Sequence, residues 1–479
     1  MILQLLKNFF GARERYAGVE QRLTERDARE SAQAWLARGL QLVDRGHFGD
    51  AVRALGECLA RDGNNATALL NLAAITMESA PETALRHLRQ AEKAAPRDVA
   101  VQINLGAALM TLARLPEARA HFMRALELVP GHVVARNNLA HLDLALGRFG
   151  VAAWDAYRAR WMHESFTGRH ALPGLRYLDA LELPAPGQGR ERLLVHLEQG
   201  LGDEIFFAGC LGEMRRHTGA LAVSCEPRLT RLFAQAFPGI EVIAREPGWE
   251  ERARAFAADA QVYAGDLPYW LRRGSASFPA PRAYLHADAA RAAHWRERLY
   301  ALDTDGVPTL KIGISWRGGM PASGRASRSV PLWEWAPLFS LPGIRWIDLQ
   351  YGEHQAELQA AQGAGVPLTR FDDALADYDE TAALVRGLDL VISVTTAVVD
   401  LAGALDVPCW VLVPRKPIWK FGAAGERTPW YGSLRLFRQG AQEKWSEPMA
   451  RLTAALESAP AVRSARLAQR RGELLAEMQ

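Results

Sequence analysis

Cysteine is scarce in this chain. It occurs four times in 479 residues, as Cys58, Cys210, Cys225 and Cys409, too far apart for a CxxC redox pair or a clustered zinc site. The four read as reduced thiols of a cytoplasmic protein. Net charge is small as well: 57 Lys and Arg against 54 Asp and Glu leave +3, which gives no electrostatic case for nucleic acid as a partner. No stretch approaches about 18 consecutive apolar residues, so neither a spanning helix nor integral membrane association is expected. The apolar opening MILQLLKNFF is followed by no small-residue cleavage pattern and reads as the start of an N-terminal helical cap over 1–31. What the chain does have is core-forming material, 49% hydrophobic and 23% charged residues. Its length suits about three units of roughly 150 residues.

Before about residue 180, β-branched runs are nearly absent and Ala, Leu, Arg and Glu dominate, a helical composition. This part repeats about every 34 residues. Gly39, Ala51 and Leu55 recur as Gly106, Ala118 and Phe122, with Ala73, Ala84 and Leu88 between them and Ala140, Ala152 and Ala156 after them. The pattern resembles the tetratricopeptide repeat, in which small residues admit close approach of two antiparallel helices. A two-helix unit cannot bury its apolar face alone, so four repeats over 32–165 must stack into a solenoid. Pro96 and Pro130 fit between hairpins, where a missing amide donor costs no helical bond. Such a surface suits a protein or peptide partner. Asn104, Asn137 and Asn138 either hold an extended backbone or bridge neighbouring repeats. The Pro- and Gly-rich segment 166–191 reads as a linker or cap.

Beyond it, the runs LLVHLEQ, LAVSC, KIGISW, IRWIDLQ, LVISV and CWVLV alternate with helical stretches, the signature of βα units in parallel sheets. LLVHLEQGLGDEIFFAG predicts a strand at 193–198, a turn at Gly200 and Gly202, and a helix from near Asp203. Doubly wound sheets bind ligands at such a helix start. The loop is neither a GxGxxG nor a Walker fingerprint. Glu204 should point elsewhere on the first turn, and His196 should be buried in the strand.

Several segments carry a family resemblance in order along 192–460: GLGDEIFFAGCL, KIGISWRGG, SRSVPL, IRWIDLQYGEHQAEL, the long DETAALVRGLDLVISVTTAVVDLAGALDVPCWVLVP, and RTPWYGSLRLFRQ. They resemble the bacterial lipopolysaccharide heptosyltransferase family and the tetratricopeptide glycosyltransferases related to it. The resemblance implies an α + α/β multidomain chain, a tetratricopeptide-like solenoid followed by a GT-B pair of Rossmann-like domains. The acceptor-side domain would occupy 192–305, the nucleotide-sugar domain 306–445, and C-terminal helices 446–479, of which 446–457 would cross back to the first domain. It further implies inverting transfer from a nucleotide-sugar donor, which is a substrate, with no metal and no other cofactor.

Asp203 matches the family's acidic first-loop residue, the proposed general base; the plainer alternative is a helix cap. Gly200 and Gly202 shape that loop. Trp316, Arg317 and Gly318 match a W-x-G segment that faces the cleft in the family. Arg317, Arg325 and Arg328 supply guanidinium groups that can neutralise a leaving phosphate, Arg328 being favoured. Gln350 matches a leucine-glutamine pair near the nucleotide, and Thr381 opens a helix that can contribute to holding it. Thr395, Thr396 and Ala397 stand at a helix entrance suited to a diphosphate. Lys416 adds charge to the same crevice, while Lys420 reads equally well as a surface lysine beside Trp419. Two positions depart from the pattern: Thr395 stands where Asp is usual and Asp400 where His is usual. Either the donor differs or donor binding has been lost. The leading expectation is a glycosyltransferase acting on a protein or peptide, flagellin or another surface protein by analogy with similar two-part proteins. The alternative is a non-catalytic tetratricopeptide scaffold with a degenerate transferase-like module.

Overall fold

The computed structural model describes residues 31–162, 166, 170–303, 308–319, 326–352, 354–366, 368–440, 444–460 and 462. Residues 1–30 of the expected cap over 1–31, Arg325 and most of 461–479 lie outside the described residues. Between 31 and 162 the chain forms four helical hairpins: Ala32–Asp44 with Phe48–Arg61, Ala66–Thr76 with Pro81–Ala94, Val99–Thr111 with Leu115–Leu128, and Val133–Ala145 with Val151–Arg158. Side chains of Ser31, Asn65 and Asp98 cap first helices by accepting from amides on the first turn, and Pro81 starts a second helix, where its missing donor is harmless. The small residues of the repeat let the paired helices touch. A Cβ on Gly39 would stand 2.7 Å from Leu55, and one on Gly106 would collide with Phe122.

The last hairpin behaves differently from the first three. Its Phe149, Trp154 and Tyr157 belong to one core with Leu193, Trp419 and Tyr431 of the αβ half. The Trp154 indole donates to the Arg272 carbonyl at 2.6 Å, and the Ala423 amide donates to the Ala145 carbonyl at 2.7 Å. Just past the hairpin, buried Arg160 pairs with Glu198 and with Asp266. The end of the solenoid is therefore a feature of sequence composition and does not separate two cores.

The αβ half holds two sheets, all parallel among the described residues. The first contains β1 (Arg192–His196), β2 (Ala220–Cys225), β3 (Glu241–Ala244) and β4 (Ala260–Tyr263), in the order β3-β2-β1-β4. The second contains β5 (Leu310–Ser315), β6 (Ile344–Asp348), β7 (Leu368–Arg370), β8 (Leu390–Val394), β9 (Cys409–Val413) and β10 (Leu434–Arg438), in the order β10-β9-β8-β5-β6-β7. Their near-continuous apolar runs follow from helices covering both faces. The direction of winding reverses between β1 and β4 and between β5 and β8, which opens a crevice beyond the carboxyl ends of those strands. The architecture is thus an α-solenoid joined to a GT-B pair of Rossmann-like domains.

Two elements pack differently from expectation. Helix Ala289–Tyr300, read as the end of the first domain, packs on Tyr378–Gly387 of the second, where the Trp295 indole and Arg291 both reach Glu380, at 2.7 and 2.5 Å. Helix Ser446–Glu457 stays with the second domain instead of crossing back. Its apolar stripe of Met449, Leu452 and Leu456 joins the core around Trp335 and Trp346. No described helix is long and apolar enough to cross a membrane.

Candidate functional site

Two helix entrances meet across the crevice. Helix Leu201–Ala208 follows β1 through Gln199 and Gly200, both at positive φ, and helix Ala397–Ala404 follows β8. They touch at Gly202, where a Cβ would lie 2.8 Å from Asp400 Oδ2 and 3.0 Å from Ala397 Cα. Asp203, on the first turn, keeps 37% of its side chain exposed. Its Oδ1 accepts from Lys420 Nζ at 3.1 Å, and it stands on the first turn of a helix whose N-cap residue is Gly200.

Lys420 is no surface lysine. Only 11% of its side chain is exposed, and its ammonium lies 4.9 Å from the Phe206 ring centre. It also donates to both oxygens of Asp400, at 3.0 and 2.9 Å. Burial disfavours its charge, but Asp203 and Asp400 outweigh that effect and hold its pKa above the usual lysine value. Asp400 is 4% exposed and accepts from the Tyr431 hydroxyl at 3.2 Å. Burial raises its pKa to about 6; Lys420 opposes the rise and Asp203 adds to it. Tyr284 completes the wall, its hydroxyl 3.2 Å from that of Tyr431 and donating to the Ile205 carbonyl at 2.9 Å.

The opposite entrance suits an anion. The Thr395 hydroxyl is buried and has no hydrogen-bond partner among the described residues. Its carbonyl accepts from the Arg328 guanidinium at 3.1 Å, which ties the segment after β5 to the entrance after β8. Burial lowers the Arg328 pKa while Asp203 pulls it upward, so the guanidinium and the carboxylate share one electrostatic environment. Thr396 meets Ser393 at 3.1 Å, and Ala397 begins the helix. Lys416 is exposed and within electrostatic reach of Arg328, Glu78 and His141; desolvation lowers its pKa, Glu78 opposes, and Arg328 adds to the lowering.

Other predicted residues stand elsewhere. Trp316 is fully buried in the second core and donates to Glu357 at 2.7 Å, so its indole does not face the cleft as the W-x-G match implied. The Arg317 guanidinium lies 3.7 Å from the same Glu357. Gln350 is buried and braces this loop, its Oε1 accepting from the amides of Trp316 and Arg317 at 3.0 and 2.8 Å. The Gly318 amide donates to Ser329 at 2.9 Å. Thr381 is fully buried, bonded to the Ala374 carbonyl and to Tyr351, both at 2.6 Å. Glu204 is turned away to Arg245 and the Glu226 amide. His196 sits between Ser224 and Gln261, and burial drives its pKa down to about 4.

Sequence reasoning missed the contribution of the solenoid to this wall. The His141 ring centre is 5.4 Å from that of Tyr157, whose hydroxyl accepts from Gln199 at 3.1 Å, next to the first-loop glycines. Burial lowers the His141 pKa to about 4, helped by Lys416 and Arg160 and opposed by Asp203. A crevice of about 780 Å³ lies elsewhere, between Glu82, Arg86, Arg89, Arg114 and Arg415. Its arginines are largely spent on Glu117 and Glu82, so it gathers less unpaired chemistry than the cleft. Among the described residues, no three His, Cys, Asp or Glu side chains gather to hold a metal ion.

No protein-family model matches the chain. Among characterised proteins it is similar to protein FlbA of Caulobacter vibrioides, 34% identical over 336 residues, which are 66% of this chain and 54% of that protein. The chain thus spans about half the length of this relative. Among solved structures it is similar to a Thermobaculum terrenum O-GlcNAc transferase mutant, at 15% identity and a TM-score of 0.30, over 92% of this chain and 95% of that one. It is also similar to the E. coli ADP-heptose lps heptosyltransferase II, at 12% identity and a TM-score of 0.41, over 57% and 99%. The MamA protein aligns with 27% of this chain and 70% of its own, at 23% identity and a TM-score of 0.25.

Proposed function

We propose that the chain is an inverting, metal-independent glycosyltransferase that moves a sugar from a nucleotide donor to a protein or peptide held by the solenoid. One observation carries this reading: a half-exposed carboxylate, Asp203, faces an anion-suited entrance made by the orphan Thr395 hydroxyl and Arg328. In the proposed step the acceptor oxygen bonds to the anomeric carbon as the bond from that carbon to the phosphate oxygen breaks. The electron pair leaves with the phosphate, and the acceptor's proton passes to Asp203. Arg328 and the first amides of helix Ala397–Ala404 would stabilise the leaving charge.

A second reading, a binding module without turnover, is favoured by Lys420, which already occupies one oxygen of Asp203. Calorimetry with CMP and a panel of nucleoside diphosphates, in excess chelator, tests the main reading. A nucleotide should bind without divalent metal. Binding that vanishes with the metal rejects the metal-free mechanism, and a chain that binds none of the panel loses the donor site altogether.

A further inference from the structure

The three donors of the Lys420 ammonium meet three carboxylate oxygens: Asp203 Oδ1 on the first domain, and Asp400 Oδ1 and Oδ2 on the second. We propose that Lys420 is a positioning residue for Asp203, pinning Oδ1 so that Oδ2 is presented to the acceptor's proton, with Asp400 and Tyr431 holding the lysine in place. The proposal rests on the reading of Asp203 as the base.

The geometry argues for each part. A base must come within about 3 Å of the proton it takes, and a side chain free to change rotamer does so only part of the time. Among the described residues, the hydrogen bond that holds the Asp203 carboxylate is the one from Lys420. Lys420 is itself fixed from several sides. Its carbonyl accepts from the Thr428 hydroxyl at 2.6 Å, its ammonium lies beside the Phe206 ring, and Asp400 is anchored in turn by Tyr431.

Asp400 also answers an electrostatic problem. A cation paired with a carboxylate alone makes that carboxylate a poorer proton acceptor. Here Asp400 takes two of the three ammonium contacts, and the two carboxylates with one ammonium keep one negative charge in the cleft. The contact also crosses the domain boundary, so the base is oriented only while the two helix entrances are apposed.

The test follows nucleotide release from UDP-, GDP-, ADP- and CMP-sugars with water as acceptor, in wild type, Lys420→Met, Lys420→Arg, Asp203→Asn and the double variant Lys420→Met with Asp400→Asn. The double variant is needed because Lys420→Met alone strands a buried carboxylate and can unfold the chain. Melting temperature and nucleotide affinity are measured alongside. The expected result is a double variant that melts and binds nucleotide as wild type does, with kcat at least about tenfold lower and KM changed less than about twofold. Lys420→Arg should recover part of the rate. A double variant with wild-type melting and wild-type kcat overturns the proposal and leaves Lys420 as a counter-ion of Asp400, even where Asp203→Asn is inactive. Near-native rates in Asp203→Asn, or no release by wild type from any donor it binds, sink the base assignment itself and the proposal with it.

Discussion

The two helix entrances that meet at Gly202 occupy the same place in their respective sheets, each following a strand beside the reversal of winding. Their side chains differ. The entrance after β1 carries the half-exposed Asp203, whereas the entrance after β8 carries a buried hydroxyl without a partner among the described residues and an arginine on its carbonyl, its own carboxylate, Asp400, being buried against Lys420. Under the proposed function, one repeated scaffold position would supply a proton acceptor on one side and an anion receptor on the other. Backbone topology fixes where the two entrances lie, and a few side chains set the chemistry each can offer.

The strongest way to break this comparison is Asp203→Asn. Asn keeps the shape and can still accept from Lys420, but it cannot take a proton. Turnover should fall by about 10²–10⁴-fold while nucleotide affinity stays within about twofold of wild type. Steady-state rates and calorimetry on the same preparation check both. A rate near wild type would make the first entrance structural and leave the comparison one-sided.

Removing the charge from the other entrance should do the reverse. Arg328→Met deletes a charge-assisted donor worth about 1.5–3 kcal/mol, so affinity for a nucleoside diphosphate should fall about 10–100-fold. Affinity for the bare nucleoside should hardly change, because the guanidinium is assigned to phosphate. Equal losses for both ligands would place Arg328 at the base or the sugar, or in the fold itself.

Much of this was legible in the sequence, for physical reasons that also mark where reading stops. Gly39 and Gly106 announced the solenoid because only a missing Cβ lets Leu55 and Phe122 approach so closely. The apolar runs of β1, β5 and β8 announced parallel sheets, and the loops after them announced the crevice. Trp316 was misjudged because a motif match says which loop a residue occupies but not which way its ring turns. Lys420 was left open between crevice and surface because its partners are distant in sequence: it lies 217 positions from Asp203 and 20 from Asp400, and no local pattern links them. The shared core of the last hairpin was hidden for the same reason: Trp154 meets Arg272 and Trp419 only after folding.

The smallest expected effect sharpens the comparison most directly, because it removes no charged or polar side chain from either entrance. In a helix, Gly→Ala ordinarily stabilises by up to about 1 kcal/mol. At Gly202 the new methyl would meet Ala397 Cα at 3.0 Å and Asp400 Oδ2 at 2.8 Å, and the first of these is backbone that cannot swing aside. Overpacking of this kind costs about 1–3 kcal/mol, so the propensity gain is offset and the melting temperature should drop by a few degrees. The methyl would also spread the entrances by a few tenths of an ångström, lengthening the Lys420–Asp203 contact that crosses between them. Turnover should therefore fall several-fold while nucleotide affinity, set within the second domain, stays constant. A Gly202→Ala chain that melts higher than wild type and turns over normally would mean that the entrances are not in tight contact in solution, and that the carboxylate and the anion receptor act at a greater distance.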